Sequence, residues 1–420
     1  MSERRQARDG LSMYPHVCQD LTDVERQGEI DHGRHVEPLR ARRRRPTPAL
    51  VGRDAELETW RVSVARAAAG RAPRSLVLYG LRGVGKTVLL SRMSAEAETT
   101  GWVVAQIEAA AGTSMRAALS SALQSHVARI ARRNRKRPFL RALKTALSFS
   151  ARVDTDGTTT FGLTLDDIEA ELADSGNLEL DLTTVVDGIL DAVHDEGLGL
   201  AILIDEAQDL TADELVAICT VAHRASQRQR PVLFVLAGLP SLPTRLAEAK
   251  SYSERLFQYR HIRELGPEAA AAALTVPAAD EGVTWADDAI DLVVTLTGGY
   301  PYFLQEYGSE AWLESASSPI SRDDAQNGAG VALRHLDDGF YRTRWDRATP
   351  LEKEYLRAMA ADGDTGSRTA DVARRLDRTT QRLSKIRQNL TDKGIIYAPE
   401  HGRIAFTVPW MSAFIDRQPV

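Results

Sequence analysis

Cysteine is nearly absent from this 420-residue chain, which has only Cys18 and Cys219. Two distant thiols make neither a disulfide framework nor a zinc site. Cys219 lies in the apolar run LVAICTVA and reads as a small buried side chain. No apolar stretch reaches the ~18–20 residues that cross a bilayer. The start, MSERRQARDG, lacks the apolar segment of a secretion signal. No repeat with a period of ~20–50 residues is visible. Basic excess is missing too: Lys+Arg total 53 and Asp+Glu 58, a formal net charge of -5, which speaks against a chain that coats nucleic acid indiscriminately. Only seven of the 53 basic residues are Lys, the usage expected of GC-rich coding DNA, so a single Arg says little by itself. These absences point to a cytoplasmic chain with no membrane partner.

What is present is ordinary globular material, 43% hydrophobic and 26% charged. At ~100–200 residues per domain the length suggests two to four domains. Residues 1–48 carry no helix or strand period, and five of the six residues Arg40–Arg45 are Arg. They read as a disordered Arg-rich leader, either a solvated tail or an accessory phosphate contact, with Met13 an alternative start. Beyond it, short apolar runs at 75–79, 102–107, 200–204 and 232–236 alternate with helical patterns. That is the signature of a parallel three-layer α/β sheet. A DTDG turn predicts a hairpin insertion at about 150–165. From Gly266 to about Arg347 the pattern is helical throughout, with Trp285, Phe303, Leu304 and Trp312 as core packing.

Gly80-Leu81-Arg82-Gly83-Val84-Gly85-Lys86-Thr87 fits G-x-x-x-x-G-K-[ST], between an apolar strand and a helix continuing through Val88. Gly83 and Gly85 let backbone N–H groups turn inward around a β-phosphate, and the helix N-terminus adds a favourable dipole. Lys86 would reach the β- and γ-phosphates of ATP, and the Thr87 hydroxyl would ligate Mg2+. The strand at 200–204 delivers Asp205 and Glu206 at its carboxyl end, where ligands bind in open α/β sheets. Asp205 would hold the metal through water, and Glu206 would polarise the attacking water. Gln208 and Asp209 read as cap or surface residues.

Leu50-Val51-Gly52-Arg53-Asp54-Ala55-Glu56-Leu57 resembles the VGR-x-x-E-L box of AAA+ ATPases, a segment that packs near the adenine in that family. With Gly80–Thr87, Asp205–Glu206, the Ala237–Pro240 turn and the C-terminal pattern below, the chain is similar to origin-recognition-like AAA+ ATPases over about residues 48–418. The resemblance implies a P-loop ATPase core at 49–265, a helical lid at 266–347, ATP, ADP and Mg2+ as ligands, and adenine contacts from Val51, Gly52 and Arg53. It also implies homo-oligomers, in which an arginine finger acts on a neighbouring copy. Arg255 or, less favoured, Arg260 lies where that residue is expected, and either could equally be a solvated helix charge. The sequence departs from the family twice. Gly238 stands where a polar sensor is usual, with Ser241 the nearest substitute, and Tyr302 stands where an Arg is usual. Gly299-Tyr300-Pro301 instead resembles the nucleotide-contacting turn of STAND-class signalling ATPases, which places Pro301 by the nucleotide.

Residues 350–420 predict three helices, at 351–360, 368–376 and 377–393, and a two-stranded wing: a winged helix-turn-helix. The outward face of the third helix would present Gln381, Arg382 and Lys385 to duplex DNA, or the module would make protein contacts. Charge is unevenly spread. Val153–His223 holds eighteen acids and no Lys or Arg, whereas Arg129–Lys144 holds eight Lys/Arg and no acid. Any DNA contact is therefore expected to be local.

Overall fold

The computed structural model describes residues 50–71, 73–110, 112–133, 137–149 and 173–419. The expected leader and hairpin insertion lie outside these residues. The chain divides into two compact units, Arg53–Arg263 and the stretch from Glu264 onward together with the residues before Arg53.

In the first unit, helix α1 (Asp54–Ala68) precedes strand β1 (Ser75–Tyr79), helix α2 (Lys86–Thr99) and strand β2 (Val103–Glu108). Helices α3 (Met115–Arg133), α4 (Arg137–Ser148) and α5 (Leu178–Val193) lead into strand β3 (Leu200–Asp205). Helix α6 (Ala212–Gln227), strand β4 (Val232–Gly238), helices α7 (Leu242–Ala249) and α8 (Ser253–Leu256) and strand β5 (Phe257–His261) follow. The five strands form one parallel sheet in the order β2-β3-β4-β1-β5. Strands β3 and β4 are buried along their whole length, as both faces of a parallel sheet require.

Two departures from the sequence reading matter. The helical pattern after the run at 102–107 is two helices, α3 and α4, with Pro138 in the first turn of α4, where its missing N–H costs nothing. Strand β5 was not anticipated, because FQYRH alternates Phe257 and Tyr259 with polar residues and sits on the sheet's edge. Helix α6 starts on a capping box: Thr211 Oγ1 accepts from the Glu214 N–H at 3.3 Å, and the Thr211 N–H donates to Glu214 Oε2 at 2.9 Å. The other Glu214 oxygen accepts the Met115 N–H, so one carboxylate fixes the start of two helices.

In the second unit, helices α9 (Pro267–Asp280), α10 (Asp287–Thr297), α11 (Pro301–Glu314) and α12 (Arg322–His335) run through a π-helical turn at Leu336–Tyr341 into α13 (Arg342–Trp345). Trp285, Phe303, Leu304 and Trp312 are buried there as expected. Next come α14 (Pro350–Ala360), β6 (Ser367–Arg368), α15 (Thr369–Arg375), α16 (Ser384–Asp392), β7 (Ile396–Tyr397), β8 (Arg403–Phe406) and α17 (Met411–Asp416). The three strands pair antiparallel in the order β6-β8-β7. The third helix is shorter than the expected 377–393. Asp377 adopts a left-handed conformation with φ 49°, and turns fill the stretch up to Leu383. Aromatic packing joins the two halves of this unit: Phe303 stacks on Trp410 at 4.9 Å and Tyr341 on Phe414 at 5.2 Å. The Tyr341 hydroxyl donates to the Pro409 carbonyl at 3.0 Å. Among the described residues no helix is long and apolar enough to cross a membrane.

Candidate functional site

Strand β1 ends at Tyr79, and the chain turns through Gly80–Gly85 into α2. The turn is held on both sides. The Gly80 N–H donates to the Gly238 carbonyl at the end of β4, and the Ile262 N–H donates to the Tyr79 carbonyl. Gly83 and Gly85 have φ of 87° and 92°, which a side chain would strain. Arg53 is buried, and its guanidinium donates to the Val84 carbonyl at 3.0 Å and the Arg263 carbonyl at 2.6 Å. Its charge thus braces the loop's backbone, a use its expected place near adenine did not suggest.

Lys86 is buried, and its Nζ donates to the carbonyls of Gly80 and Leu81 at 2.9 and 2.8 Å. Burial pushes its ammonium down to about 8, against the attraction of Glu206 and Asp205. Thr87 Oγ1 donates to Asp205 Oδ2 at 2.6 Å, across 118 residues of sequence. The other Asp205 oxygen accepts the Glu206 N–H at 2.9 Å. A hydroxyl and a carboxylate side by side are hard oxygen donors, which suit Mg2+ rather than softer ions. Val84 is buried inside the loop, and Val88 is exposed on α2.

Glu206 is left-handed, with φ 48°, the start of a one-turn bend at Ala207–Asp209. Backbone strain of this kind in a non-glycine residue costs ~1–3 kcal/mol and gathers at functional sites. Both carboxylate oxygens are engaged. Arg82 Nη1 donates to Oε1 at 2.8 Å, and Gln208 Nε2 donates to Oε2 at 2.6 Å. Gln208 is buried, so its expected place on the surface is corrected: it belongs to the site. Arg245 pins the same bend through the carbonyls of Gln208 and Leu210. Arg82 and Gln208 are the residues the motif reading passed over. Their signal was proximity, since one lies inside the Gly-rich loop and the other two positions after Glu206.

Residues 49–235 match the family model of the AAA ATPase domain. This stretch of the chain is an AAA ATPase domain. The ATPase domain's family is one of nucleotide binders. A second family model, described only as a domain of unknown function, matches residues 338–415. No curated protein matches the chain. Solved structures that overlap it include the Aeropyrum pernix Orc1 protein in complex with DNA, at 18% identity, covering 89% of this chain and 94% of that one with a TM-score of 0.41. The Aeropyrum pernix Orc2 protein, in ADPNP–ADP complexes, overlaps at 14% identity, 88% and 94% coverage and a TM-score of 0.46. The Thermotoga maritima RuvB Holliday junction branch migration motor overlaps at 13% identity, 86% and 95% coverage and a TM-score of 0.41.

The remaining expected site residues lie away from the loop or in the other unit. Arg255 is exposed at the amino end of the ATPase domain's sheet, where Phe257 pairs with Ser75, opposite the end that carries Lys86. It borders a polar recess with Arg74, Ser226 and Arg230. Arg260 is on the edge strand β5, not on a helix, and donates to Thr59 Oγ1 at 2.8 Å. Val51, Gly52 and Pro301 belong to the second unit. A Cβ on Gly52 would come within 2.6 Å of Ala269, and Pro301 is the first residue of α11. Gln381 and Arg382 are exposed in the turn before α16, which corrects their expected position on the helix, and Lys385 is exposed on α16 itself.

Proposed function

We propose that this chain binds and hydrolyses ATP and couples the nucleotide state to conformational switching or assembly on duplex DNA. The observation that carries the reading is the convergence of Lys86, Thr87, Asp205 and Glu206 at the carboxyl ends of β1 and β3, with Thr87 and Asp205 2.6 Å apart. Lys86 exchanges the loop carbonyls for the β- and γ-phosphates, and the inward N–H groups of Gly83–Thr87 cradle them. Thr87 and Asp205 would hold Mg2+, which when bound neutralises phosphate charge. Glu206 orients the water and takes its proton. Arg255 lies at the far end of the sheet from this chain's own loop, so a role for it as an arginine finger would need a neighbouring copy and a homo-oligomer.

The DNA element is the C-terminal module, read as a winged helix: α14, α15 and α16 with the β7–β8 hairpin as its wing. Gln381, Arg382 and Lys385 are exposed side chains able to donate to phosphates and base edges. A second reading has one observation in its favour. Trp410 packs against Gly298 and stacks on Phe303, so the module already makes intramolecular contacts beside the Gly298–Pro301 turn. In that reading the chain is a STAND-like nucleotide-gated switch.

Nucleotide binding and turnover of wild type, Lys86→Ala and Glu206→Gln test the ATPase reading. Lys86→Ala should lose binding, and Glu206→Gln should bind and fail to turn over. Normal hydrolysis by Glu206→Gln would remove Glu206 as the base. Fast multiple turnover stimulated by duplex DNA favours the first reading, and a single bound nucleotide that does not turn over favours the second.

A further inference from the structure

We propose that Arg82 is a catalytic residue: it is shared between Glu206 and the terminal phosphate of ATP, supplying from within the same chain the positive charge that the reaction needs. This rests on the reading of the site as an ATP site.

The position is unusual in three ways. Arg82 is the third residue of the Gly80–Thr87 loop, whose first residue is tied to the end of β4 through the Gly238 carbonyl. Its Nη1 lies 2.8 Å from Glu206 Oε1. A general base works on a water ~2.6–3.2 Å away, so a guanidinium bonded to that base lies one hydrogen bond from the reacting atoms. Its side chain is 29% exposed, within reach of an entering ligand. Arg53, by contrast, is buried against backbone carbonyls and committed to the loop's shape.

The electrostatics point the same way. Arg82 and Lys86 are two cations four positions apart in one loop. Glu206 offsets that repulsion, and a phosphate entering the loop offsets it better. The sequence also places Tyr302 and Gly238, neither able to carry a positive charge, where the ATPases it resembles place their sensors. A planar guanidinium with five donors can keep a carboxylate and still reach a phosphate oxygen.

In the reaction the water oxygen bonds to the γ-phosphorus, and the bond to the β–γ bridging oxygen breaks with its electron pair leaving on ADP. The water's proton passes to Glu206 and then to solvent. Charge builds on the phosphoryl and bridging oxygens, and Arg82 donates to it. Arg82 thus bridges base and phosphate, and the lone pairs that remain on the Glu206 carboxylate accept the water.

The test compares wild type, Arg82→Ala and Arg82→Lys, with Lys86→Ala as control, in ATP turnover and in affinity for ADP and a non-hydrolysable ATP analogue. Arg82→Ala should lower kcat by about 100-fold or more, the loss seen when one donor to a developing negative charge is removed. It should keep ADP affinity, lose preference for the ATP analogue, and be partly rescued by Arg82→Lys. Turnover by Arg82→Ala equal to or faster than wild type would overturn the proposal, since Arg82 would then only withhold the base. So would equal weakening of ADP and analogue binding without rescue by Lys, the mark of a purely structural role. Equal ATP binding by wild type and Lys86→Ala would instead fail the nucleotide reading, and the proposal with it.

Discussion

Gln208 holds Glu206 and the end of β4 at once: its Nε2 donates to Glu206 Oε2 at 2.6 Å, and its Oε1 accepts the Leu239 N–H at 2.9 Å. This explains the glycine at 238, where a polar sensor was expected. A Cβ there would stand 2.8 Å from Gln208 Oε1 and 2.9 Å from Leu242 Cδ2. The space a sensor side chain would fill is occupied by Gln208.

Gly238→Ala should therefore displace Gln208 and loosen Glu206. Overpacking of this kind costs ~1–3 kcal/mol. Denaturant unfolding should show that loss, and kcat should fall about tenfold while nucleotide affinity stays. A variant as stable and active as wild type would mean that Gln208 does not position Glu206.

Lys86 makes nucleotide binding depend on pH. Burial holds its ammonium at about 8, below its ordinary 10.5. Only the charged form attracts phosphate, so affinity should be full near pH 7 and fall by up to about tenfold per unit above pH 8. A bound anion raises the ammonium again, so binding at about pH 8–9 should take up a proton. Calorimetry in two buffers of different ionisation enthalpy measures this, and an identical heat in both would contradict it. The stability sign is opposite to a salt-bridged Lys: the folded value is depressed, so Lys86's contribution to stability rises as pH climbs from about 8 to 10.5.

The placement of the motifs was legible because it is local: Gly80–Thr87 spells its own turn, and Asp205–Glu206 ends an apolar strand. Pairing Thr87 with Asp205 needed only the order of the sheet. Gln208 was misread because a polar residue just after a strand is usually a cap, and its burial depends on Gly238 and Leu239 arriving from β4. Strand β5 was hidden for a related reason. An edge strand buries one side, so Phe257–His261 shows a weak alternation that a helical reading absorbs. The early end of the expected third helix turns on Asp377, whose left-handed backbone no periodicity announces.

Not all of the basic residues in the C-terminal module are available. Lys393 donates to Glu352 Oε2 at 2.5 Å, and Glu352 is buried and also accepts the Thr349 N–H. Burial pushes the Glu352 carboxyl up, but Lys393 and Thr349 outweigh it and hold it below the usual range. Lys393→Met strands that carboxylate. A fully buried pair would cost ~3–5 kcal/mol, and because the Lys393 side chain is 28% exposed the expected loss is about 2 kcal/mol. The loss should be present above about pH 4.5 and shrink as pH falls through the depressed Glu352 value. Melting curves at pH 7 and pH 3 that differ by the same amount would rule out this pairing as the source.

Arg374 is likewise paired with Asp371 and Arg375 with Asp362. Arg382 and Lys385 carry no ion pair among the described residues, and both are exposed, so they stay open to phosphate, as do Arg368 and Arg378. Each phosphate contact contributes about 0.9 to the slope of log affinity against log salt. Arg382→Ala with Lys385→Ala should therefore lower that slope by about 2 and weaken binding to all duplex sequences alike. Gln381→Ala should leave the slope intact and change affinity only for particular sequences, because a neutral amide releases no counterion. Binding that ignores salt, or a double variant with an unchanged slope, would move the DNA contact off this module and leave Trp410's packing against Gly298 as the better account of what the module does.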